Sequence, residues 1–254
     1  MARTFLVTLH YDGGRFAGWQ RQAEGRTVQG EVEQVLERLC GEPVRVHAAG
    51  RTDAGVHAIG MGTSCAVPDR WTAVALRRAL NALLPEDCRA MAVREASSGF
   101  HARTSATARR YRYVIGTDDA ASSPFRCRFE WALCRPLDRA PLGAATGCLA
   151  GEHDFLAFSV RSSPRAHTRC RVRTAAWIER PDGCGFCFEI AADRFLHHMV
   201  RMLVGTMVDI GLGRRALTDM RQLLALDPGV RTSPPAPPQG LFFVGAEYPA
   251  ECFS

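Results

Sequence analysis

The chain has 254 residues, 46% hydrophobic and 23% charged, which excludes a disordered chain and suits one large domain or two smaller ones. No apolar run reaches the roughly 18–20 residues of a membrane-spanning helix, and no export signal is predicted, so we expect a cytoplasmic protein. All 32 basic residues are arginine, and the net charge of +6 is compatible with a polyanionic partner.

Turn signals and hydrophobic periodicity predict alternating strands and helices in the first half of the chain. Thr27 is placed to cap a helix that ends before Gly41, and Pro85 ends the next helix. The predicted strands are 4–10, 44–48, 90–94 and 109–115, and the predicted helices are 28–39 and 72–84.

The second half repeats this alternation and closes with a proline-rich stretch, 228–240, that we interpret as a stiff loop before a last strand. The predicted helices are 141–149, a helix that starts at Arg194, and 217–226, and the predicted strands are 174–178, 186–191 and 241–246. The pattern indicates an α+β protein with one half over residues 1–107 and a second over 108–254.

Two arginine-rich blocks contain no acidic residue. The first runs from Phe100 to Tyr113, and the second from Arg161 to Arg173. Such blocks can follow a backbone of phosphates, although two solvated loops would give the same pattern. The arginines of the first block are Arg103, Arg109, Arg110 and Arg112.

The ten cysteines are scattered and are expected to be reduced. The one close pair, Cys184 and Cys187, has no second pair or histidine at zinc-ligand spacing, so a hairpin turn is favoured over a metal site. A zinc-dependent nucleic-acid enzyme that uses this pair and the histidines stays open as an alternative.

The loop Gly50-Arg51-Thr52-Asp53-Ala54-Gly55-Val56-His57 is the most suggestive run, because its glycines let a ligand approach and it presents Arg, Asp and His together. An ordinary Asp-x-Gly turn is the alternative. Within the helix predicted from Arg194, His197 and Arg201 would lie one turn apart. Adjacent helical residues diverge, so we expect His197 and His198 not to share a metal ion.

The order of several motifs resembles that of the TruA-type tRNA pseudouridine synthases over nearly the whole chain. The resemblance rests on Tyr11-Asp-Gly13 with Phe16 and Gly18-Trp-Gln20, the loop from Gly50 to Ala58, Asn81-Ala-Leu-Leu-Pro85, Phe100-His-Ala-Arg103, Arg110-Tyr-Arg-Tyr113, Asp154-Phe155, the segment Phe195–Gly205, and Gly240-Leu241.

The resemblance implies an isomerase that converts uridine to pseudouridine in the anticodon stem-loop of tRNA, at positions 38–40, as a homodimer without cofactor or metal. It implies two related ferredoxin-like halves whose sheets join into one mixed platform, with helices packed on it and a basic cleft between the halves. By this resemblance, Asp53 corresponds to the catalytic aspartate and Tyr111 to the tyrosine that stacks on the target base. Arg201 corresponds to the arginine that pairs with the aspartate, and Arg51 to an arginine that handles the flipped nucleotide.

The chemistry explains these residue types. The reacting uridine must leave the stem, at a cost of a few kcal/mol, before its glycosidic bond can break. A carboxylate can attack or stabilise the anomeric carbon, and an ester and a glycal route both remain open. A non-catalytic RNA-binding or tRNA chaperone module of the same fold is the remaining alternative, but a pure binder needs no carboxylate facing a polyanion.

Overall fold

The structure, a computed structural model, describes residues 2–160 and 167–253. The strands are β1 (Ala2–Tyr11), β2 (His47–Ala48), β3 (His57–Pro68), β4 (Cys88–Ala96), β5 (Ala108–Gly116), β6 (Trp131–Ala132), β7 (Gly151–Asp154), β8 (Arg169–Glu179), β9 (Gly185–Ala192) and β10 (Leu241–Glu247). The α-helices are α1 (Val28–Cys40), α2 (Ala73–Leu83), α3 (Arg139–Gly147), α4 (Met199–Gly211) and α5 (Thr218–Leu224). None of the helices in these two ranges combines the length and the apolar character that crossing a membrane requires.

The chain forms two compact units, residues 2–109 with 242–253 and residues 110–241. The first unit has the sheet order β4-β1-β3-β10, with the short β2 paired to β3. β1 runs antiparallel to both β3 and β4, whereas β10 runs parallel to β3. Alternate residues of β1 are buried, which is the period of a strand with one face on the core: Phe5, Val7, Leu9 and Tyr11.

The last strand belongs to the first unit, although the sequence predicts that everything after residue 107 forms the second half. Phe242 pairs with His57 and Phe243 with Ala58 in the register of β10 on β3. The chain end continues this attachment, since the Ser97 N–H donates to the carbonyl of Cys252. Pairing between strands distant in sequence leaves no local signal, so only the fold assigns this strand.

The second unit has the strand order β5-β9-β8-β7, with β6 paired in parallel to β5. β8 and β9 form an antiparallel hairpin from Val172–Ala192 to Glu179–Phe186. Helix α3 packs against α4 and β8. Both units thus combine a sheet with helices, and the predicted α+β class is confirmed; the joined platform and the cleft stay predictions.

The predicted Thr27 cap of α1 is confirmed, and Thr72 caps α2 in the same way. The side chains of Thr27 and Thr72 accept hydrogen bonds from the N–H groups of Gly30 and Ala75, which the first turn of a helix leaves without partners. Gly41 ends α1 at φ 82°, the left-handed conformation that glycine adopts without strain.

The longest strand of the first unit, β3, was not predicted. Its residues 61–65 are buried without alternation, and Gly60 and Gly62 interrupt the apolar pattern, so the period of a strand is absent from its sequence. A Cβ at Gly60 would lie 2.0 Å from the carbonyl oxygen of Val244, so glycine is what lets β10 lie beside β3.

Candidate active site

The loop that carries Asp53 connects β2 to β3 and is held by the segment that follows β1. A Cβ on Gly13 would lie 2.0 Å from the carbonyl oxygen of Val56, and one on Gly18 would lie 2.8 Å from that of Thr52. Both glycines therefore let the opening segment touch the loop backbone on either side of Asp53. We call residues 11–19 the clamp.

Hydrogen bonds strengthen this contact. The Trp19 N–H donates to the carbonyl of Thr52 at 3.0 Å, and the hydroxyls of Tyr11 and Thr52 lie 2.8 Å apart, with both side chains buried. Buried hydroxyls without partners would be costly, so this pair fixes the Thr52 side chain next to Asp53. The clamp residues belong to the motif order recognised in the sequence, but their role is visible only in the structure.

His57 closes the loop on its other side. Its ring is 1% exposed and stacks on Phe242 of β10, with centroids 4.9 Å apart. The Gly13 N–H donates to Nδ1 at 3.0 Å, and Asp12 Oδ1 lies 3.1 Å from the same nitrogen. The histidine of the sequence motif is therefore a buried support of the loop.

Between these supports, Asp53 is half-buried and Arg51 is exposed. The Val56 N–H donates to the Asp53 carbonyl at 3.2 Å, which closes the turn after the carboxylate. The turn thus places one half-buried carboxylate and one exposed guanidinium two residues apart in the sequence.

Arg51 also lines a groove of about 690 Å³ in the first unit. We call this space the unit-1 groove. Four of its lining side chains are arginines (Arg21, Arg45, Arg51 and Arg103), two are histidines (His47 and His101), and two are glutamates (Glu33 and Glu37). Cations outnumber acids there, as expected for a surface that faces phosphates.

Tyr111 lies on β5 and is 8% exposed. The ring of Phe195 meets it edge to face, with centroids 4.9 Å apart and an interplanar angle of 81°. Such aromatic pairs add roughly 0.5–1.5 kcal/mol beyond the buried area. The packing fixes the tyrosine ring in one orientation.

The helix predicted from Arg194 is present but begins only at Met199, so its predicted start is wrong. His198 has φ 64°, a left-handed conformation that interrupts a right-handed helix, and residues 193–198 form a separate segment. The rings of His197 and His198 lie 4.1 Å apart between centroids instead of diverging as on a helix. The expectation that His197 and Arg201 share a helix face is wrong for the same reason.

Arg201 lies in the first turn of α4. Its Nε donates to the carbonyl of Ala236 at 2.7 Å, and the Ala236 N–H donates to the Arg201 carbonyl at 2.9 Å. The proline-rich stretch thus packs on the start of α4 and holds this arginine. A Cβ on Gly205, one turn further, would lie 2.2 Å from the Pro234 carbonyl oxygen, which shows how closely the two approach.

The arginines of the first block differ in what they bind. Arg109 donates to the carbonyls of Ala49 and Ala106, at 3.1 and 2.9 Å, and to that of Arg103. Arg112 pairs with Glu189 at 2.7 Å. Arg109 therefore supports the backbone before the Asp53 loop, while Arg103 and Arg110 are exposed.

Part of the second block is paired with an acid from elsewhere in the sequence. Arg169 and Arg171 lie 3.0 and 3.1 Å from the two oxygens of Glu152, across the β7–β8 pairing, and hold the pKa of that carboxyl below its usual value. Residues 161–166 of this block lie outside the described residues.

Cys184 and Cys187 lie at the hairpin between β8 and β9, as predicted. The Cys184 N–H donates to Asp182 Oδ1 at 3.0 Å, and burial raises the pKa of the Cys187 thiol. Both cysteines are free thiols. Their surroundings are those of a turn.

Comparison with known proteins identifies the family. The profile of a family described as tRNA pseudouridine synthase matches residues 8–104 and 145–249, which include the clamp, Asp53 and Arg201. The chain belongs to the tRNA pseudouridine synthase family. Tyr111 lies between the two matched ranges.

Relatives of the synthase confirm this over nearly the full length. It is 41% identical to the tRNA pseudouridine synthase A of Solidesulfovibrio magneticus over 98% of this chain and 92% of that protein. It is also 41% identical to the tRNA pseudouridine synthase A of Moorella thermoacetica, over 95% of this chain and 98% of that protein. The predicted enzyme class, an isomerase that acts on tRNA uridine, is confirmed.

Among solved structures, one described as the crystal structure of a Cbf5-Nop10-Gar1 complex is similar to the synthase with a TM-score of 0.41 and 12% identity. The match covers 95% of this chain and 48% of that one. A likeness of this size supports no conclusion about the site.

Proposed function

We propose that this synthase modifies uridines of the tRNA anticodon stem-loop, at positions 38–40, with Asp53 as its catalytic residue, and that it works as a homodimer in the cytoplasm. The observation that carries the proposal is the clamp. Contacts from Gly13 and Gly18 on both sides of Asp53 hold a single carboxylate in a fixed position. Such preorganisation is what a reaction at one sugar carbon requires.

Asp53 acts at the anomeric carbon. In the reaction the bond from uracil N1 to C1′ breaks, the base turns, C5 bonds to C1′, and C5 loses the proton that N1 gains. The carboxylate either attacks C1′ or stabilises the positive charge that develops there. Both roles need a negative oxygen, which the neighbouring Thr52 hydroxyl cannot replace.

Tyr111 supplies the stacking face for the extruded base. Stacking on an aromatic ring contributes roughly 1–3 kcal/mol per base, comparable to the cost of flipping the nucleotide. The edge contact with Phe195 keeps the ring from turning away. Its hydroxyl is also a candidate acceptor of the C5 proton.

The arginines fall into two groups, those that act at the reacting nucleotide and those that face the phosphate backbone of the tRNA. Arg51, two residues from Asp53, handles the flipped nucleotide, and Arg201 is the arginine that pairs with the catalytic carboxylate. Arg103 and Arg110, both exposed, contact phosphates of the stem. Arg109 and Arg112 belong to the same basic surface. Because Arg109 already binds carbonyls and Arg112 already binds Glu189, they support this surface by holding its backbone and side chains in place. The reaction redistributes bonds within one nucleotide, so the proposal includes no cofactor or metal.

The test is the nearly isosteric change Asp53→Asn, with Glu24→Gln as the control for losing one exposed negative charge of the same unit. Tritium released from tRNA labelled at uridine C5 measures turnover. We expect Asp53→Asn to lower turnover by about 10³-fold or more while tRNA binding survives, because the amide keeps the shape and lacks the charge.

Glu24→Gln should turn over normally. A folded Asp53→Asn variant with normal turnover would overturn the role of Asp53. A wild-type protein that binds tRNA and forms no pseudouridine would favour the non-catalytic RNA-binding module, and mapping the pseudouridines formed would test positions 38–40.

A further inference from the structure

The unit-1 groove contains a pair of histidines in close contact that the reaction at Asp53 does not use. The rings of His47, on β2, and His101 lie 4.4 Å apart between centroids, at an interplanar angle of 30°. His47 is exposed and His101 is half-buried. Two imidazoles in a groove that is also lined by four arginines form an unusual cluster of donors.

The hydrogen bonds of His101 determine where its proton lies. Nδ1 accepts from the N–H groups of Arg103 and Thr104, at 3.1 and 3.4 Å. A nitrogen that accepts carries no proton, so the neutral ring has its hydrogen on Nε2. His101 is therefore a fixed ring whose Nε2–H is a hydrogen-bond donor.

His47 is the ring that can change its charge. Although His47 is exposed, partial loss of hydration at the groove wall lowers its pKa below 6.5, and the neighbouring His101 and Arg45 add to this, while Glu33 acts in the opposite direction. The ring is consequently neutral at neutral pH in the free protein. An anion placed against it would reverse the balance and favour the protonated ring.

The other charged groups of the groove support an anion more than they oppose it. Arg21, Arg45, Arg51 and Arg103 line it beside the histidines. Of its two acids, Glu33 already accepts from the Val46 N–H at 3.1 Å and from Gln29 at 2.9 Å, and it lies 3.5 Å from Arg21. Glu37, the other acid, is exposed.

We propose that His47 and His101 bind a phosphate of the tRNA backbone in the unit-1 groove and that His47 takes up a proton as it binds. The proposal rests on the proposed function only in its choice of tRNA as the source of the phosphodiester. His101 donates through Nε2, and the proton that His47 gains comes from solvent. Because the two histidines hold a phosphate and take no part in the bond changes at the sugar carbon, they act on binding and not on the chemical step.

Proton uptake fixes the sign of the pH dependence. A group whose pKa is higher in the complex than in the free protein strengthens binding as pH falls through the pKa of the complex. The increase in affinity stops once the pH is below the pKa that the group has in the free protein. For one proton the affinity changes by at most about tenfold per pH unit. The affinity for tRNA should therefore rise from about pH 8 to about pH 6.

The experiment measures equilibrium binding of an unmodified tRNA transcript between about pH 6 and pH 8, at fixed salt, with the full chain. We expect the affinity of the wild type to increase about tenfold over this range. His47→Gln, which donates but does not titrate, should flatten the dependence to about twofold or less. His47→Arg should bind as tightly at pH 8 as the wild type at pH 6.

His10→Gln is the matched control, because His10 is half-buried in the same unit and burial also lowers its pKa. It should keep the wild-type dependence. A wild type without pH dependence, or a His47→Gln variant with the full dependence, would overturn the proposal. If tritium release shows normal turnover in such a case, the proposed function stands and this inference alone fails; a protein without affinity for tRNA removes both.

Discussion

The loop that carries Asp53 and the segment 193–198 beside Tyr111 are both held in place by specific contacts, but by contacts of different kinds. Each is an irregular connection that leads into a regular element, β3 in one case and α4 in the other. The loop is held by backbone contacts that only glycine permits, at Gly13 and Gly18. The segment is held by a carboxylate: Asp193 Oδ1 accepts from the N–H groups of Arg171 and Arg194, at 2.8 and 2.7 Å.

The difference shows where each connection is vulnerable. Backbone packed on backbone leaves no flexible group that could yield, so one added carbon must displace the loop. A carboxylate at the surface can be replaced in part by water, so its loss is less costly. We therefore expect the loop to respond more strongly to substitution than the segment.

The largest effect is expected for Gly13→Ala. The new Cβ would overlap the Val56 carbonyl, so the clamp or the loop must shift, at a cost of about 3 kcal/mol, and turnover should fall more than tenfold. Urea unfolding and tritium release measure the two effects. Gly99→Ala is the control, because nothing lies within 4 Å of its Cβ position. Equal stability of the two variants would contradict the clamp.

An intermediate effect is expected for Tyr111, the ring that the segment supports. Tyr111→Phe keeps the stacking face, whereas Tyr111→Leu fills similar space without one. If stacking is its role, turnover should fall about ten- to a hundredfold in the Leu variant and little in the Phe variant. If both variants lose turnover while tRNA binding stays intact, the Tyr111 hydroxyl is the group that accepts the proton from C5. Normal turnover of the Leu variant would exclude both roles.

The smallest effect is expected for Asp193→Ala, compared with Asp193→Asn. The alanine removes the acceptor for two N–H groups at a partly exposed site, which should lower the free energy of unfolding by about 1 kcal/mol. The asparagine keeps an acceptor oxygen and should lose less. Turnover should change only severalfold in both. A loss from Asp193→Ala as large as that from Gly13→Ala would show that the segment is no more tolerant than the loop.

Local chemistry determined much of this protein. Thr27, Gly41 and Thr72 set the ends of α1 and α2 because capping involves residues only a few positions apart. The order of motifs is by itself enough to identify the family and to place Asp53 in a loop. The catalytic role of Asp53 and the roles of the tyrosine and arginines assigned with it stay predictions, since they depend on the bound substrate.

Only the tertiary structure decided what depends on distant partners. It places β3 between β1 and β10. It also gives His198 a left-handed conformation, so that α4 starts later than predicted, and it binds the Arg109 side chain to backbone carbonyls of other segments. It also brought His47 against His101, 54 positions later in the chain. Propensity and periodicity describe one segment at a time, whereas these features arise from contacts between segments, which no single segment specifies.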